Sequence, residues 1–341
     1  MSTVKRQDVH VEETWNLQDL FKTEVDFEHA IDEVKTIASQ IETEFKGTIT
    51  TANVARNVIA AYEILYKKLI PISTFANLAL NVDQTNSDAQ MRASRVGQLS
   101  GAINAQLSFI ESDLLKLDES ILHEISTVNT NYKRFIENLL KKKPYQLHPD
   151  AEKVLAAFST TFNGPYGLYN TTKLVDMKFP HFEVDGESYP LSYNLFEGDW
   201  ELETNTNIRR AAFKAFSEKL RDYQHTTAKT YDMHLKVEKT KSDLRGYNSI
   251  FDMLLQPQEV DRTLYDRQID LIMTELAPHM QRYAMLLQKV HGLEEMTFAD
   301  LKISLDPDYE PKITVQQSRQ YMKDGLAVMG EDYAQMLDRA F

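Results

Sequence analysis

The stretch Phe27-Glu28-His29-Ala30-Ile31-Asp32-Glu33-Val34-Lys35-Thr36-Ile37-Ala38-Ser39-Gln40-Ile41-Glu42-Thr43-Glu44-Phe45 sets apolar residues at steps of three and four, with charges between them. That period gathers the apolar side chains into one stripe of an α-helix. Val54, Val58, Tyr62, Leu65 and Leu69 repeat the pattern, and Pro71 is expected to end or kink that second helix because it lacks an amide donor and crowds the preceding turn. Ser87 and Gln90 have capping-box spacing, at the head of a helix expected to run toward Leu117. Helical spacing resumes near Asn205, and since no Pro or Gly follows before Gly246, one very long helix is expected there. A further helical pattern runs from Val260 to Val290, interrupted by Pro278 and closed by Gly292, and Thr314 with Gln317 marks a new capping box.

Between Leu174 and Tyr193 the character changes. Met177-Lys178-Phe179 and Phe182-Glu183-Val184 lead into Asp185-Gly186, a turn dipeptide, after which Tyr189 to Tyr193 continues. This predicts a β-hairpin whose strands are edge or irregular strands, because Pro180 and Pro190 each remove a ladder donor. The fold class expected is therefore mainly α, a multi-helical bundle with a small β-hairpin insertion. The hairpin and the acidic stretch Glu197–Glu203 separate two helix-rich blocks, read as domains 1–203 and 204–341.

Composition narrows the function classes. The 341 residues include 51 acidic and 38 basic side chains, a net charge of −13, so the overall field repels phosphate backbones and anionic lipid surfaces. Nucleic acid is not an expected partner. The basic run Lys141-Lys142-Lys143 closes an apolar-periodic segment, where cations favour a helix C-terminus. Cysteine is absent, which removes disulfides and thiolate chemistry and fits a cytoplasmic setting. Lys5, Arg6, Asp8, Glu12 and Glu13 crowd the first thirty residues without an apolar core, so no signal peptide is read there. The longest uncharged stretch, Leu69 to Val82, is too short to span a bilayer, and no membrane partner is expected.

No motif in the chain supplies catalytic chemistry. A zincin helix needs two histidines at i and i+4, on one face, with a glutamate beside the first. His123-Glu124-Ile125-Ser126-Thr127 has the first histidine and the glutamate but threonine at the second ligand position, and reads as a surface-helix fragment. His225 and His234 would lie about 180° apart around one helix and roughly 13 Å along it; His279 and His291 would be about 18 Å apart. Neither pair can grip one metal. Gly97-Gln98-Leu99-Ser100-Gly101 displaces its serine from the apex of a nucleophile elbow and reads as helical packing. Gly325 and Gly330 are followed by Glu331 and Asp332 where a phosphate loop needs lysine and a hydroxyl, so Gly330 reads as a helix terminator. Glu197, Asp199, Glu201 and Glu203 lack the loop glycine of a calcium site and read as a solvated edge. Tyr166 and Tyr169, beside Gly164 and Gly167, read as loop packing.

Several segments resemble successive landmarks of the oligoendopeptidase F group, zinc peptidases of the thimet oligopeptidase kind. They are Trp15-Asn16-Leu17-Gln18-Asp19-Leu20-Phe21, the stretch Leu147-His148-Pro149-Asp150-Ala151-Glu152-Lys153-Val154-Leu155-Ala156, and Ile208-Arg209-Arg210-Ala211-Ala212-Phe213-Lys214-Ala215-Phe216. Arg245-Gly246-Tyr247-Asn248-Ser249 and Leu287 to Leu305, with Gly292-Leu293 and Asp300-Leu301, continue the series. The resemblance covers nearly the whole chain through motifs that are structural and not chemical. It implies a mostly helical cytoplasmic peptidase that encloses a deep cleft, hydrolyses oligopeptides, and holds one zinc through HExxH and a later glutamate. Those ligands are missing here; in the family they lie beyond the segment matching Thr314 to Phe341. The expectation is therefore an amino-terminal portion, truncated before HExxH, that carries no catalytic or zinc-binding residues and is inactive alone. The alternative is a non-catalytic helical peptide-binding or scaffold protein derived from such a peptidase. Phe179, His181, Tyr189 and Tyr193 are the candidates for a wall of the peptide cleft, since edge strands can pair with extended peptides.

Overall fold

A computed structural model describes residues 8–11, 14–306, 308–309 and 311–340. Lys5, Arg6, Glu12, Glu13 and Phe341, used in the reading above, lie outside the described residues. The chain is dominated by helices, with a single two-stranded antiparallel sheet among the described residues. The first helix, α1 (Glu24–Phe45), starts three residues before the quoted stripe because Thr23 and Asp26 form a reciprocal capping box. Its buried residues, Phe27, Ile31, Val34, Ala38, Ile41 and Phe45, are members of the predicted stripe.

Helix α1 packs on α2 (Ala52–Val82), which packs on α3 (Ser87–Leu107); α4 (Phe109–Leu115), α5 (Glu119–Val128) and α6 (Lys133–Lys142) complete the same core. Of the two outcomes expected at Pro71, an end or a kink, the first does not occur: the helix continues to Val82, because Leu65, Leu69, Ile72 and Ala76 on both sides of it are anchored in the core and tertiary packing outweighs one missing donor. The cap of α3 is Asn86, whose Oδ1 accepts from the amides of Asp88 and Ala89, and not Ser87 with Gln90; the helix stops at Leu107. In α3, Gly97 and Gly101 lie against Thr160 and Ser159 of α8 (Ser159–Phe162), which bears out packing as the role of the Gly97–Gly101 segment. Lys141 and Lys142 sit in the last turn of α6, as expected.

After α7 (Pro149–Ala157), α8 and α9 (Gly164–Thr171), the backbone widens into a π-turn at Thr172–Asp176. The segment read as a loop around Tyr166 and Tyr169 is thus helical. The hairpin follows as β1 (Phe182–Val184) and β2 (Glu187–Tyr189), in register Phe182↔Tyr189, Glu183↔Ser188 and Val184↔Glu187. Asp185 and Gly186, with φ of 53° and 82°, make the left-handed two-residue turn that matches strand twist. Its strands are shorter than expected, and Tyr193 already opens the next helix, α10 (Tyr193–Gly198), capped by Ser192.

The single long helix expected after Asn205 is two: α11 (Thr206–Asp222), capped by Asn205, and α12 (Gln224–Arg245). The break is at Tyr223 (φ −103°, ψ 4°), which leaves the helical basin although no Pro or Gly stands there. Gly246, in the left-handed region, caps α12. Beyond α13 (Ile250–Leu255), the pattern from Val260 to Val290 becomes α14 (Arg262–Leu271), a second π-turn at Ile272–Leu276, and α15 (Ala277–Val290). Pro278 sits in the first turn of α15, where its absent amide is harmless, and the widened turn before it absorbs the mismatch. Gly292 takes a left-handed φ of 61° after α15. Large apolar residues of α14, the π-turn and α15, among them Leu271, Ile272, Met280 and Met285, are exposed. Helix α16 (Val315–Leu326) begins at the expected Thr314–Gln317 capping box, and α17 (Glu331–Ala340) follows Gly330.

The segments that carried the resemblance are tied together in space. Arg245 grips Glu152 of α7 with two 2.7 Å bonds and donates to the Tyr145 carbonyl. Arg209 and Arg210 of α11 both bind Asp300, which lies in a short 3-10 turn at Phe298–Asp300. Asp300 is fully buried and Arg209 is 1% exposed. Thr297 adds its hydroxyl at 2.6 Å and its amide at 3.0 Å to the same carboxylate. Burial alone would push the Asp300 carboxyl up, but the bonds from Arg210, Thr297 and Arg209 outweigh it and hold the group well below the usual carboxylate range. No described helix is long and apolar enough to cross a membrane.

Candidate functional site

The hairpin, α10 and α11 share a compact aromatic cluster. Phe216 of α11 stacks on Phe196 at 4.0 Å between ring centroids and on Phe179 at 5.3 Å, and Tyr193 meets Phe216 and Phe179 edge-on at 5.0 and 5.5 Å. Such edge and stacked contacts hold a ring's orientation as well as its position. Tyr193 is therefore presented from a rigid base.

On its other side, Tyr193 borders an open cavity of ≈ 500 Å³. Tyr169 at the end of α9, then Thr172 and Lys173 in the π-turn and Met177 just after it, form one wall. Gln224, Thr227, Ala228 and Tyr231 form the opposite wall, at the i, i+3, i+4, i+7 positions of one face of α12. The π-turn inserts an extra residue into the helical path, which re-aims the side chains that follow it. Among the described residues Lys173 is the only charged one lining the cavity, and its ammonium lies 4.3 Å from the centroid of the Tyr193 ring. Burial, followed by the nearby Tyr169 and Glu197, pushes the Tyr193 hydroxyl above its ordinary pKa, so it stays protonated at neutral pH.

The four residues expected on a cleft wall divide into two groups. Tyr193 lines the cavity and Phe179 supports it from behind. His181 and Tyr189 remain on the hairpin: exposed His181 has Nδ1 3.3 Å from Ser188 Oγ, and Tyr189 stacks on Phe182 and donates to Glu187 at 2.9 Å. Trp200, 3% exposed, closes the hairpin against the cluster by donating its indole N–H to the Pro190 carbonyl. Lys173, Thr172, Tyr169, Gln224, Thr227 and Tyr231 were not singled out as site residues. The one available signal was the mixed polar and apolar stripe Gln224, Thr227, Ala228, Tyr231, which resembles neither a core face nor a fully solvated one.

Metal chemistry finds no home among the described residues: no three His, Asp or Glu side chains come together where they could hold an ion. His123 and Glu124 are exposed on α5, and the His123 carbonyl accepts from the Ser126 and Thr127 hydroxyls. Glu201 is paired with Lys302 at 2.6 Å.

Family models match the chain in two places, one described as oligopeptidase F over residues 114–179 and one as peptidase family M3 over residues 202–326. The chain belongs to the oligoendopeptidase F group of peptidase family M3. Among curated relatives, it is 25% identical over 337 residues to the oligopeptidase PepF of Bacillus subtilis (strain 168), covering 97% of this chain and 50% of that one. It is 26% identical over 340 residues to the group B oligopeptidase PepB of Streptococcus agalactiae, covering 97% and 56%. The crystal structure of oligoendopeptidase-F from Enterococcus faecium superposes with a TM-score of 0.76 at 22% identity, over 92% of this chain and 60% of that one, which shows a shared fold. The chain spans about half the length of the curated relatives it matches.

Proposed function

We propose that this M3-family chain is the helical, peptide-contacting portion of a zinc-dependent, cytoplasmic oligoendopeptidase, with residues 1–203 as the amino-terminal helical domain and 204–341 as the opening helices of the catalytic domain. The observation that carries this reading is the match of both family models, in order, to a chain whose aromatic cavity is lined from both matched regions: Tyr169 and Lys173 from the first, Leu220 and Tyr231 from the second. Among the described residues no set of side chains fits the family's zinc, so no hydrolytic step runs through them. Their chemistry is that of binding and orientation. The hairpin, a two-stranded sheet, offers backbone donors and acceptors to an extended peptide, and the cavity beside it offers aromatic faces to a side chain. Metal-activated water requires converging ligands and a neighbouring base, and no such group comes together among the described residues.

The test is turnover. The purified chain, given a fluorogenic oligopeptide and added zinc, should show no chelator-sensitive hydrolysis, while a labelled oligopeptide should bind it. Chelator-sensitive cleavage above contaminant level refutes the reading, and loss of that cleavage in His123→Ala would make His123 a ligand.

A further inference from the structure

We propose that the cavity between the Thr172–Asp176 π-turn and α12 receives the carboxyl-terminal residue of a peptide, with the Lys173 ammonium pairing with the free α-carboxylate. This rests on the peptide-handling reading above and specifies which end of the peptide the cavity holds.

Three features carry it. The first is charge. Lys173 is the only ionic group lining the cavity, it forms no ion pair among the described residues, and the chain around it carries a net charge of −13. An anion-preferring spot in an acidic protein selects against its own surroundings and toward a ligand that brings one negative charge.

The second is geometry. The Tyr193 ring holds the Lys173 ammonium at 4.3 Å through its face, and an ammonium has three N–H donors, so the contact orients the group while leaving donors free. Gln224 and Thr227 of α12 line the same cavity and bring an amide and a hydroxyl that can donate beside the ammonium.

The third is the remaining lining. Tyr169, Tyr231, Met177 and Leu220 offer apolar and aromatic surface, and ≈ 500 Å³ is within the range of sites that enclose a small ligand. One monoanionic head beside one bulky apolar body describes a peptide ending in an aromatic or aliphatic residue.

The experiment compares two fluorescently labelled peptides of identical sequence, ending in phenylalanine as the free acid or as the amide. Their Kd for the full chain is measured by anisotropy. The acid should bind about fivefold more tightly than the amide, the scale of a charged hydrogen bond at a partly exposed site. Lys173→Met should remove that preference and Lys173→Arg should keep it, both with unchanged far-UV circular dichroism. Equal binding of acid and amide overturns the assignment while leaving peptide binding intact, as does a preference that survives in Lys173→Met. If neither peptide binds, the peptide-handling reading falls and takes this inference with it.

Discussion

Replacing Asp300 with alanine removes the acceptor for Arg209, whose side chain is 1% exposed and is otherwise bonded only to the Glu203 and Thr204 carbonyls and the Thr206 hydroxyl. Arg210 is 33% exposed and can turn to water, but Arg209 cannot. Stranding a buried charge in this way costs about 3–5 kcal/mol. The readout is at hand, because Trp200 is buried beside α11 and the chain's other tryptophan, Trp15, is 79% exposed and can be replaced by phenylalanine. Urea unfolding followed by Trp200 fluorescence should show the Asp300→Ala midpoint lowered by about 1–2 M, taking a slope of about 3 kcal/mol/M, the upper end for small proteins, because the slope grows with chain length. The double variant Arg209→Met with Asp300→Leu should recover much of the loss, since an apolar pair of similar size is often neutral where a lone charge is not. The sign with pH follows from the depressed carboxyl. Its contribution is fully present above the ordinary aspartate value near 3.8 and is lost as pH falls through the folded value, so acid should narrow the gap between wild type and Asp300→Asn. A midpoint for Asp300→Ala within about 0.3 M of wild type would refute the reasoning.

Glu152→Gln should cost about 1–3 kcal/mol by breaking the two-bond grip of Arg245 on α7, detected as earlier thermal loss of helix by circular dichroism. Because the Glu152 carboxyl is raised by burial but lowered further by Arg245 and the Leu147 amide, that difference should shrink as pH falls below about 4.5. Gly246→Ala should cost about 1 kcal/mol in the same assay, as φ of 76° suits glycine and strains an L-residue. Gly101→Ala, with only ordinary contacts at 3.6 Å to Ser159 and Thr160 and a helical backbone, should instead be neutral or slightly stabilising.

What was legible in the sequence was local. The stripe of α1, the Asp185-Gly186 turn and the Thr314–Gln317 box each depend on residues a few positions apart, and each formed where expected. What depends on distant partners was not legible. Pro71 reads as a stop or a kink until the core that anchors both halves of α2 is known, and nothing in the residues around Tyr223 announces the break between α11 and α12. Arg209, Arg245, Glu152 and Asp300 stood out only as parts of a family likeness; their pairing spans more than ninety residues in each case and has no periodic trace. The cavity was half visible. Tyr193 was named through its place beside the hairpin, whereas Lys173 joins it only because a π-turn, a form without a sequence signature here, brings α9 against α12.

Phe179 and Phe216, stacked on each other and, through Phe216, on Phe196, back Tyr193, so that the side of the cavity it borders behaves as an anvil. Opposite it, Tyr231 is 62% exposed and pairs with no other aromatic ring among the described residues. A guest pressed between the two meets a fixed plane on one side and a hinged one on the other. The plane dictates the tilt at which any flat group must enter, and the hinge sets how thick that group can be. Such a vise is strict about orientation and lenient about bulk.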